Sequence, residues 1–176
     1  MSMIPLAKAQ KLAWRVRDAL APMCERIDIA GSVRRARPVC GDIDIVCLPH
    51  RLRSRGDIIA RCLRNATLAK GGEQYVMINL PGGVQLDLWF AHRGGGDMFS
   101  PEPCNYGMLL LARTGSARHN VRLASRAKIM GLHFHPHKGI MRGTEIIAAA
   151  EEADIFRALD LPYIEPQDRE AVKEEA

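Results

Sequence analysis

Several features that mark special classes of protein are scarce or absent in this sequence. Only 5% of its 176 residues are aromatic, and it has no apolar run long enough to cross a membrane. The N-terminal segment lacks an uninterrupted apolar stretch with a small-residue cleavage site, so a secretory signal is not expected. The five cysteines are odd in number, scattered and without a Cys-x-x-Cys pair, which argues against a disulfide framework and against a structural zinc site. These absences favour a soluble protein of a reducing, cytoplasmic compartment.

The charge balance is basic, and arginine supplies most of it. The formal net charge is +5, with arginine far outnumbering lysine. Guanidinium groups match phosphate oxygens in bidentate fashion, so a polyanionic partner is indicated. Many globular proteins carry such a charge by chance, so the charge alone identifies no partner.

Hydrophobic periodicity predicts a mixed α+β chain without internal repeats. Apolar residues at helical spacing alternate with β-prone segments, and a Gly- and Pro-rich loop over 92–103 is the best candidate boundary between two subdomains. The acidic tail after Pro166 is expected to be frayed. The predicted helices cover 4–23, 55–65, 105–113, 117–130 and 151–159; the predicted strands cover 26–30, the GDIDIV segment at 41–46, a hairpin of 74–80 with 84–91, and a small β element at 133–141.

Two aspartates interrupt an otherwise buried strand. In GDIDIV, side chains alternate, so Asp42 and Asp44 point to one face a few ångströms apart. In VQLDLWF, Asp87 lies on the face of Gln85 and Trp89, and this strand is a candidate neighbour of the first. Three converging carboxylates at the solvent edge of a sheet would repel one another unless a positive charge lies between them. They suit two Mg²⁺ ions about 3.5–4 Å apart, the arrangement that clamps the oxygens of a phosphoryl transfer.

A Gly-Ser turn and a basic cluster precede these aspartates. Gly31 lets the backbone approach a phosphate, and the Ser32 hydroxyl can bind phosphate oxygens. Arg34, Arg35 and Arg37 add charge that would receive a triphosphate. A lone Asp-x-Asp is usually a solvated strand edge, whereas this combination is more specific and favours a functional site.

Five motifs in this order resemble the catalytic core of the family X DNA polymerases: GSVRR, GDIDIV, LDL, TGSARHN and DIFRALDLPYIEPQDRE. The resemblance covers nearly the whole chain. It implies an α+β fold with a nucleotidyltransferase palm, a mixed β-sheet with helices, over 1–97, and a small α/β thumb over 98–176. No lyase, fingers or phosphoesterase region is found, so the chain is similar to minimal palm-plus-thumb members.

The resemblance also implies roles for individual residues. Asp42 and Asp44 would bridge two Mg²⁺ ions, for which Mn²⁺ could substitute, and Asp87 would hold the catalytic ion and help deprotonate the primer 3′-hydroxyl. Asn120 would hydrogen-bond the minor-groove edge of the base. The implied nucleotide-binding residues are Gly31, Ser32, Arg35, Gly41, Thr114, Gly115, Ser116 and Asn120.

Some positions depart from the family pattern. Met3 and Gln85 stand where arginines for the terminal phosphate and the primer backbone are usual. Ala124 replaces a template-facing arginine, for which Arg122 and Arg126 could substitute as DNA-binding residues.

The position next to the sugar also departs from the family pattern. Ala112 and Arg113 take the place of a bulky aromatic pair before the TGS turn, so the hypothesis is a relaxed sugar gate that admits ribonucleotides. The other interpretation is that Arg113 lies over the sugar and the backbone keeps the gate.

The leading hypothesis is a template-directed DNA polymerase, monomeric and not membrane-bound, that fills short gaps in DNA repair. It would take gapped or primer-template DNA and deoxynucleoside triphosphates and release pyrophosphate. Two alternatives stay open: a nucleotidyltransferase with a non-DNA acceptor, and a catalytically inactive DNA-binding module. His133, His135 and His137 alternate and could be interpreted as a metal site, although a structural or DNA-backbone role is favoured. Trp14 and Trp89 are interpreted as core or interface residues.

Overall fold

The chain forms two compact units, Met1–Ala91 and His92–Ala176, in a computed structural model that describes residues 3–96 and 101–170. The predicted boundary after residue 97 lies outside the described residues. The mixed content of helices and strands confirms the α+β class. Among the described helices, none combines the length and apolarity that a membrane crossing requires.

The first unit is built on a five-stranded mixed sheet. Its strand order is β2-β4-β7-β6-β5, in which β4 and β7 are parallel and the other neighbours antiparallel. Two short strands, β1 and β3, pair separately. The strands are β1 (Ile4–Pro5), β2 (Cys24–Ile29), β3 (Val39–Cys40), β4 (Asp42–Pro49), β5 (Thr67–Gly71), β6 (Tyr75–Leu80) and β7 (Val84–Phe90).

Helices cover one face of this sheet. The helices are α1 (Leu6–Leu20), α2 (Gly31–Arg34) and α3 (Arg55–Cys62), with 3-10 turns at Ala21–Met23 and Leu63–Asn65. Ala9 and Ala13 of α1 and Ile58 of α3 pack into the same core as the inward side chains of β4 and β7. Helix α3 begins at a capping box, in which Ser54 and Asp57 bond each other's backbone N–H groups. The sheet therefore has one covered face, and its other face carries the polar side chains of β4 and β7.

The second unit has its own apolar core, formed by α4, α5, α6 and a small antiparallel sheet of β10, β11 and β12. Helix α4 is almost entirely buried, as its sequence YGMLLLART leads one to expect. The elements are β8 (Gly95–Gly96), β9 (Pro101–Glu102), α4 (Tyr106–Thr114), α5 (Ala117–Ile129), β10 (His133–His135), β11 (Gly139–Arg142), β12 (Glu145–Ala148), α6 (Glu152–Ala158) and a 3-10 turn at Pro166–Glu170.

Three sequence-based expectations were wrong or incomplete. The predicted first helix is shorter, because Ile4–Pro5 pairs as a strand and the last turn tightens to 3-10. Strands β5 and β12 were not predicted, and all five residues of β5 are exposed, so it carries no apolar alternation. The segment after Pro166 is not frayed up to residue 170, since Arg169 is 1% exposed and pairs with Glu152 at 2.9 Å.

Candidate active site

The predicted carboxylates lie on one face of two adjacent parallel strands. Asp44 is directly opposite Asp87 in the register of β4 and β7, and Asp42 is opposite Gln85. Alternation places all four on the face opposite the one that packs against α1 and α3, while Ile43, Ile45 and Cys47 enter the core. Both strands are interior strands of the sheet, each with a neighbour on either side.

Asp44 is held between a glycine and an indole. A Cβ atom built on Gly31 would lie 2.0 Å from Asp44 Oδ2, so only glycine fits beside this carboxylate. Gly31 also has a φ of +59°, a region that glycine adopts without strain. On the other side, the indole Nε1–H of Trp89 donates to Asp44 Oδ1 at 3.4 Å. The orientation of the Asp44 side chain is therefore set by residues of β7 and of the turn after β2.

Asp87 is the most buried of the three carboxylates, at 9% exposure. The Gln85 amide donates to its Oδ1 at 2.7 Å, a bond within one face of β7. Burial raises the pKa of Tyr75 to about 12, and the negative charge of Asp87 with a hydrogen bond to its carboxylate acts in the same direction. Two neutral donors, Gln85 and Tyr75, thus lie beside this charge.

Asp42 is half-buried at the start of β4. Burial raises the pKa of its carboxyl above the usual range, opposed by a backbone hydrogen bond and by the charge of Arg35. Arg35 is the C-cap residue that follows the short helix α2, and it lies near enough to act on this carboxylate. A cation beside Asp42 would favour its charged form in the same way.

The donor set fits a hard divalent cation in its chemistry. Three carboxylates share one open sheet face, and oxygen donors are what Mg²⁺ prefers. Within the described ranges, no three His, Cys, Asp or Glu side chains are gathered closely enough to enclose a metal ion. Instead, Asp44 accepts a hydrogen bond from Trp89, and Asp87 accepts one from Gln85. These donors partly offset the negative charge of each carboxylate.

The Gly-Ser turn opens helix α2 rather than a simple loop. Gly31 is its first residue, and Ser32 follows with an Oγ atom that is buried and has no hydrogen-bond partner among the described residues. Gly41 directly precedes Asp42. The turn therefore brings a hydroxyl and the Arg35 charge to the same end of β4 as the carboxylates.

Sequence reasoning missed the aromatic pair on this face. Trp89 stacks on Tyr75 with ring centroids 4.2 Å apart and planes 28° from parallel. The register pairs these two residues across β7 and β6. The alternation in VQLDLWF already placed Trp89 on the carboxylate face, which was the available signal. Trp14 is 52% exposed on α1, so of its two interpretations, a core or an interface residue, the first was wrong.

In the second unit, the TGS segment joins α4 to α5. Thr114 is fully buried, Gly115 has a φ of +71°, and the Gly115–Ser116 peptide bond is cis. The Ser116 hydroxyl caps α5 by accepting from the His119 N–H at 3.3 Å, and it donates to the Arg169 carbonyl at 3.2 Å. The C-terminal 3-10 turn thereby fixes this junction.

The residues predicted to meet the base and sugar have partners within this unit. The Asn120 amide donates to the Ala112 carbonyl at 2.8 Å. The Arg113 guanidinium Nη2 lies 3.2 Å from His137 Nε2. Burial and then the charge of Arg113 lower the pKa of His137, which keeps its ring neutral near pH 7. Asn105 donates to the His137 carbonyl at 2.7 Å and so ties the β10–β11 turn to the start of α4.

The predicted DNA-binding arginines differ in their surroundings. Arg126 bonds the Leu159 carbonyl at 3.0 Å and Asp160 at 3.4 Å, contacts that hold the end of α6. Arg122 is half-buried one turn earlier on α5. His133, His135 and His137 form edge contacts with centroids 6.1 and 6.2 Å apart, and they do not form a metal-binding group.

Comparisons with known proteins agree with this architecture. The family model described as DNA polymerase beta thumb matches residues 109–170. The chain is 27% identical over 165 residues to DNA polymerase lambda of Rattus norvegicus, a match covering 80% of this chain and 28% of that relative. The chain therefore spans less than a third of the length of this curated relative.

Solved structures show the same fold. Two structures of Leishmania infantum polymerase beta, a ternary P/T complex and a ternary gap complex, each match with a TM-score of 0.75 at 16% identity. Each match covers 96% of this chain, and they cover 77% and 71% of the respective polymerase chains. The fold of this chain is that of the polymerase beta structures.

Proposed function

This chain resembles the family X DNA polymerases in sequence and in fold, and we propose on that premise that it is a nucleotidyltransferase that extends a DNA primer. Its first unit would be the palm and its second the thumb. One observation carries the proposal: Asp42, Asp44 and Asp87 share the open face of two parallel strands beside a Gly-Ser turn. The proposed partners are gapped or primer-template DNA and deoxynucleoside triphosphates, so the protein would act on intracellular DNA.

Asp42, Asp44 and Asp87 would together hold two Mg²⁺ ions. Such ions lower the pKa of the attacking hydroxyl and offset charge on the transferred phosphoryl group. The primer 3′-hydroxyl would attack the α-phosphate of the incoming nucleotide, and the bond to pyrophosphate would break. Asp87, which is buried and accepts a hydrogen bond from Gln85, would draw the proton from the attacking hydroxyl.

Other residues would bind the nucleotide or the DNA and take no part in the chemical step. Ser32 has a buried hydroxyl without a hydrogen-bond partner among the described residues, which suits a phosphate oxygen, and Arg35 brings positive charge to the same end of the strand. Gly41 would add a backbone N–H. In the second unit, the junction of Thr114, Gly115 and Ser116 would support the nucleotide and Asn120 the base, with Arg122 and Arg126 toward DNA.

We expect Asp42→Asn, Asp44→Asn and Asp87→Asn each to reduce nucleotide addition by at least about 10³-fold, because each removes a ligand charge and little packing. The assay incubates labelled nucleotide and Mg²⁺ with gapped duplex, single strand or no nucleic acid. Asp18→Asn, at an exposed ion pair on α1, is the matched control and should keep full activity.

The acceptor arms of the assay separate the proposal from its competitors. Labelling that requires gapped duplex supports a template-directed polymerase. Labelling of single strand or of the protein alone would instead assign another acceptor. Absence of labelling in every arm would favour the other alternative, a catalytically inactive DNA-binding module. Near wild-type turnover in any of the three aspartate variants would contradict the two-metal site.

A further inference from the structure

A stacked aromatic pair borders the carboxylates on the open face of the first unit. Trp89 lies two residues beyond Asp87 on β7, and Tyr75 faces it across β6. Both rings are partly exposed, so the pair is not part of the apolar core beneath the sheet. The indole of Trp89 therefore lies beside charged side chains, where its N–H can act as a hydrogen-bond donor.

The indole contacts one carboxylate through its single polar atom. Trp89 Nε1–H donates to Asp44 Oδ1 at 3.4 Å, a long bond to an oxygen on the neighbouring strand. An indole N–H is a donor only and carries no charge. It can therefore orient a carboxylate without the repulsion that an arginine or lysine would exert on a bound cation.

Asp44 is confined on its other side as well. Its Oδ2 lies 2.0 Å from where a Cβ of residue 31 would be, so the Gly31 backbone limits rotation of the carboxylate in that direction. The stack on Tyr75, with centroids 4.2 Å apart, limits rotation of the indole in turn. Asp44 thus has one oxygen toward the Gly-Ser turn and one toward Trp89.

We propose that Trp89, held by Tyr75, is a positioning residue that orients the Asp44 carboxylate for a divalent cation. The inference rests on the proposed function, since it concerns the same cation site. Groups that hydrogen-bond metal-binding carboxylates fix their orientation, and their loss typically weakens metal affinity about 10- to 100-fold. Trp89 is the donor that this chain supplies to Asp44 from β7.

The first test measures Mn²⁺ binding to the protein alone by electron paramagnetic resonance titration. Trp89→Phe keeps a ring to stack on Tyr75 and removes the N–H donor. We expect its Mn²⁺ affinity to fall about 10-fold, with thermal unfolding changed by only a few degrees. Trp14→Phe, at an exposed site on α1, is the matched control and should bind as wild type.

A second measurement does not depend on the folding of the Trp89 variant. In a Trp14→Phe background, Trp89 is the remaining tryptophan and reports on Asp44 by its emission. We expect Mn²⁺ to quench this emission saturably, and the added change Asp44→Asn to remove the saturable phase. If the Trp89 emission changes neither on addition of Mn²⁺ nor in the Asp44→Asn variant, the inference is overturned.

The outcomes separate the two proposals. Wild-type protein that binds no Mn²⁺ would overturn the cation site and the inference together. Mn²⁺ binding by wild type with the Trp89→Phe affinity within about twofold would overturn only the inference and leave the proposed function standing. A loss of Mn²⁺ affinity in Trp89→Phe that is no larger than the loss in Trp14→Phe would also overturn only the inference.

Discussion

At the scale of single residues, the contact of Arg113 with His137 bears on sugar selectivity. The guanidinium lies 3.2 Å from the His137 ring and is thereby drawn toward the β10–β11 turn. Ala112 before it presents only a methyl group. Both features favour a relaxed gate, in which neither side chain crowds a 2′-hydroxyl.

We expect the kcat/KM ratio of matched dNTP and rNTP on one gapped template to be small for the wild type. Ala112→Tyr should raise that ratio at least about 10-fold, because an aromatic ring would restore steric contact with the 2′ position. The ratio reports differential binding of the transition states. A wild-type preference for dNTP of many thousandfold, unchanged by Ala112→Tyr, would contradict the relaxed gate.

A second residue-scale prediction concerns His119, which is 2% exposed in the core of the second unit. Burial and the charge of Arg169 lower its pKa to about 4, whereas Asn120 and Glu152 oppose the shift. The unfolded chain therefore binds a proton more readily between pH 6.5 and 4. The stability that neutral His119 contributes is complete above about pH 6.5 and is lost as the pH falls toward 4.

We expect the free energy of unfolding in urea to fall by up to about 3 kcal/mol between pH 7 and pH 4 through this residue. His119→Phe should flatten that dependence and leave the contribution of His137, whose pKa is also lowered. The exposed His50→Gln variant serves as control. An unchanged pH slope in His119→Phe would show that the buried imidazole is not the titrating group.

At the scale of elements, helix α4 begins without a side-chain cap, and its first N–H groups instead donate to backbone carbonyls of the segment that precedes α6. Gly107 N–H and Met108 N–H donate to the carbonyls of Ala150 and Ala149 at 2.9 and 2.8 Å. This contact needs a close backbone approach. A Cβ on Gly107 would lie 2.4 Å from the Cα of Glu151.

Gly107→Ala should therefore lower the free energy of unfolding by about 2 kcal/mol or more, since backbone atoms of both segments must separate. The matched control is Gly56→Ala in helix α3, where the added Cβ meets its nearest atom, Ser54 Oγ, at 3.4 Å. That change should be neutral or stabilise by up to about 1 kcal/mol. Equal losses in the two variants, measured by urea unfolding, would contradict the close-packing argument.

At the scale of the whole molecule, each unit has a core of its own. The sheet of the first unit packs on α1 and α3, and the helices of the second pack on its small sheet. Residues 109–170 match the polymerase beta thumb, whereas the carboxylates lie in the first unit. The chemistry is thus proposed on the first unit, whereas nucleotide-contacting residues are proposed on both, Ser32 and Arg35 on the first and Thr114 to Asn120 on the second.

The sequence by itself determined the fold class, the main helices and strands, and the set of carboxylates. These follow from local rules: alternation fixes which side chains share a face, and the order of motifs supports the family resemblance that the comparisons confirm. The three aspartates could be grouped because two lie on one strand and the third on a strand of the same pattern. Their roles remain proposals.

Only the tertiary structure decided what the carboxylates touch. The parallel register of β4 and β7 brings Trp89 to Asp44 across 45 positions of sequence, and no local pattern encodes such a pairing. The same holds for Arg113 with His137 and for the C-terminal turn that carries Arg169 into the core. Strand β5 was missed because it is exposed and exists through hydrogen bonds to β6, which depend on neighbours and not on composition.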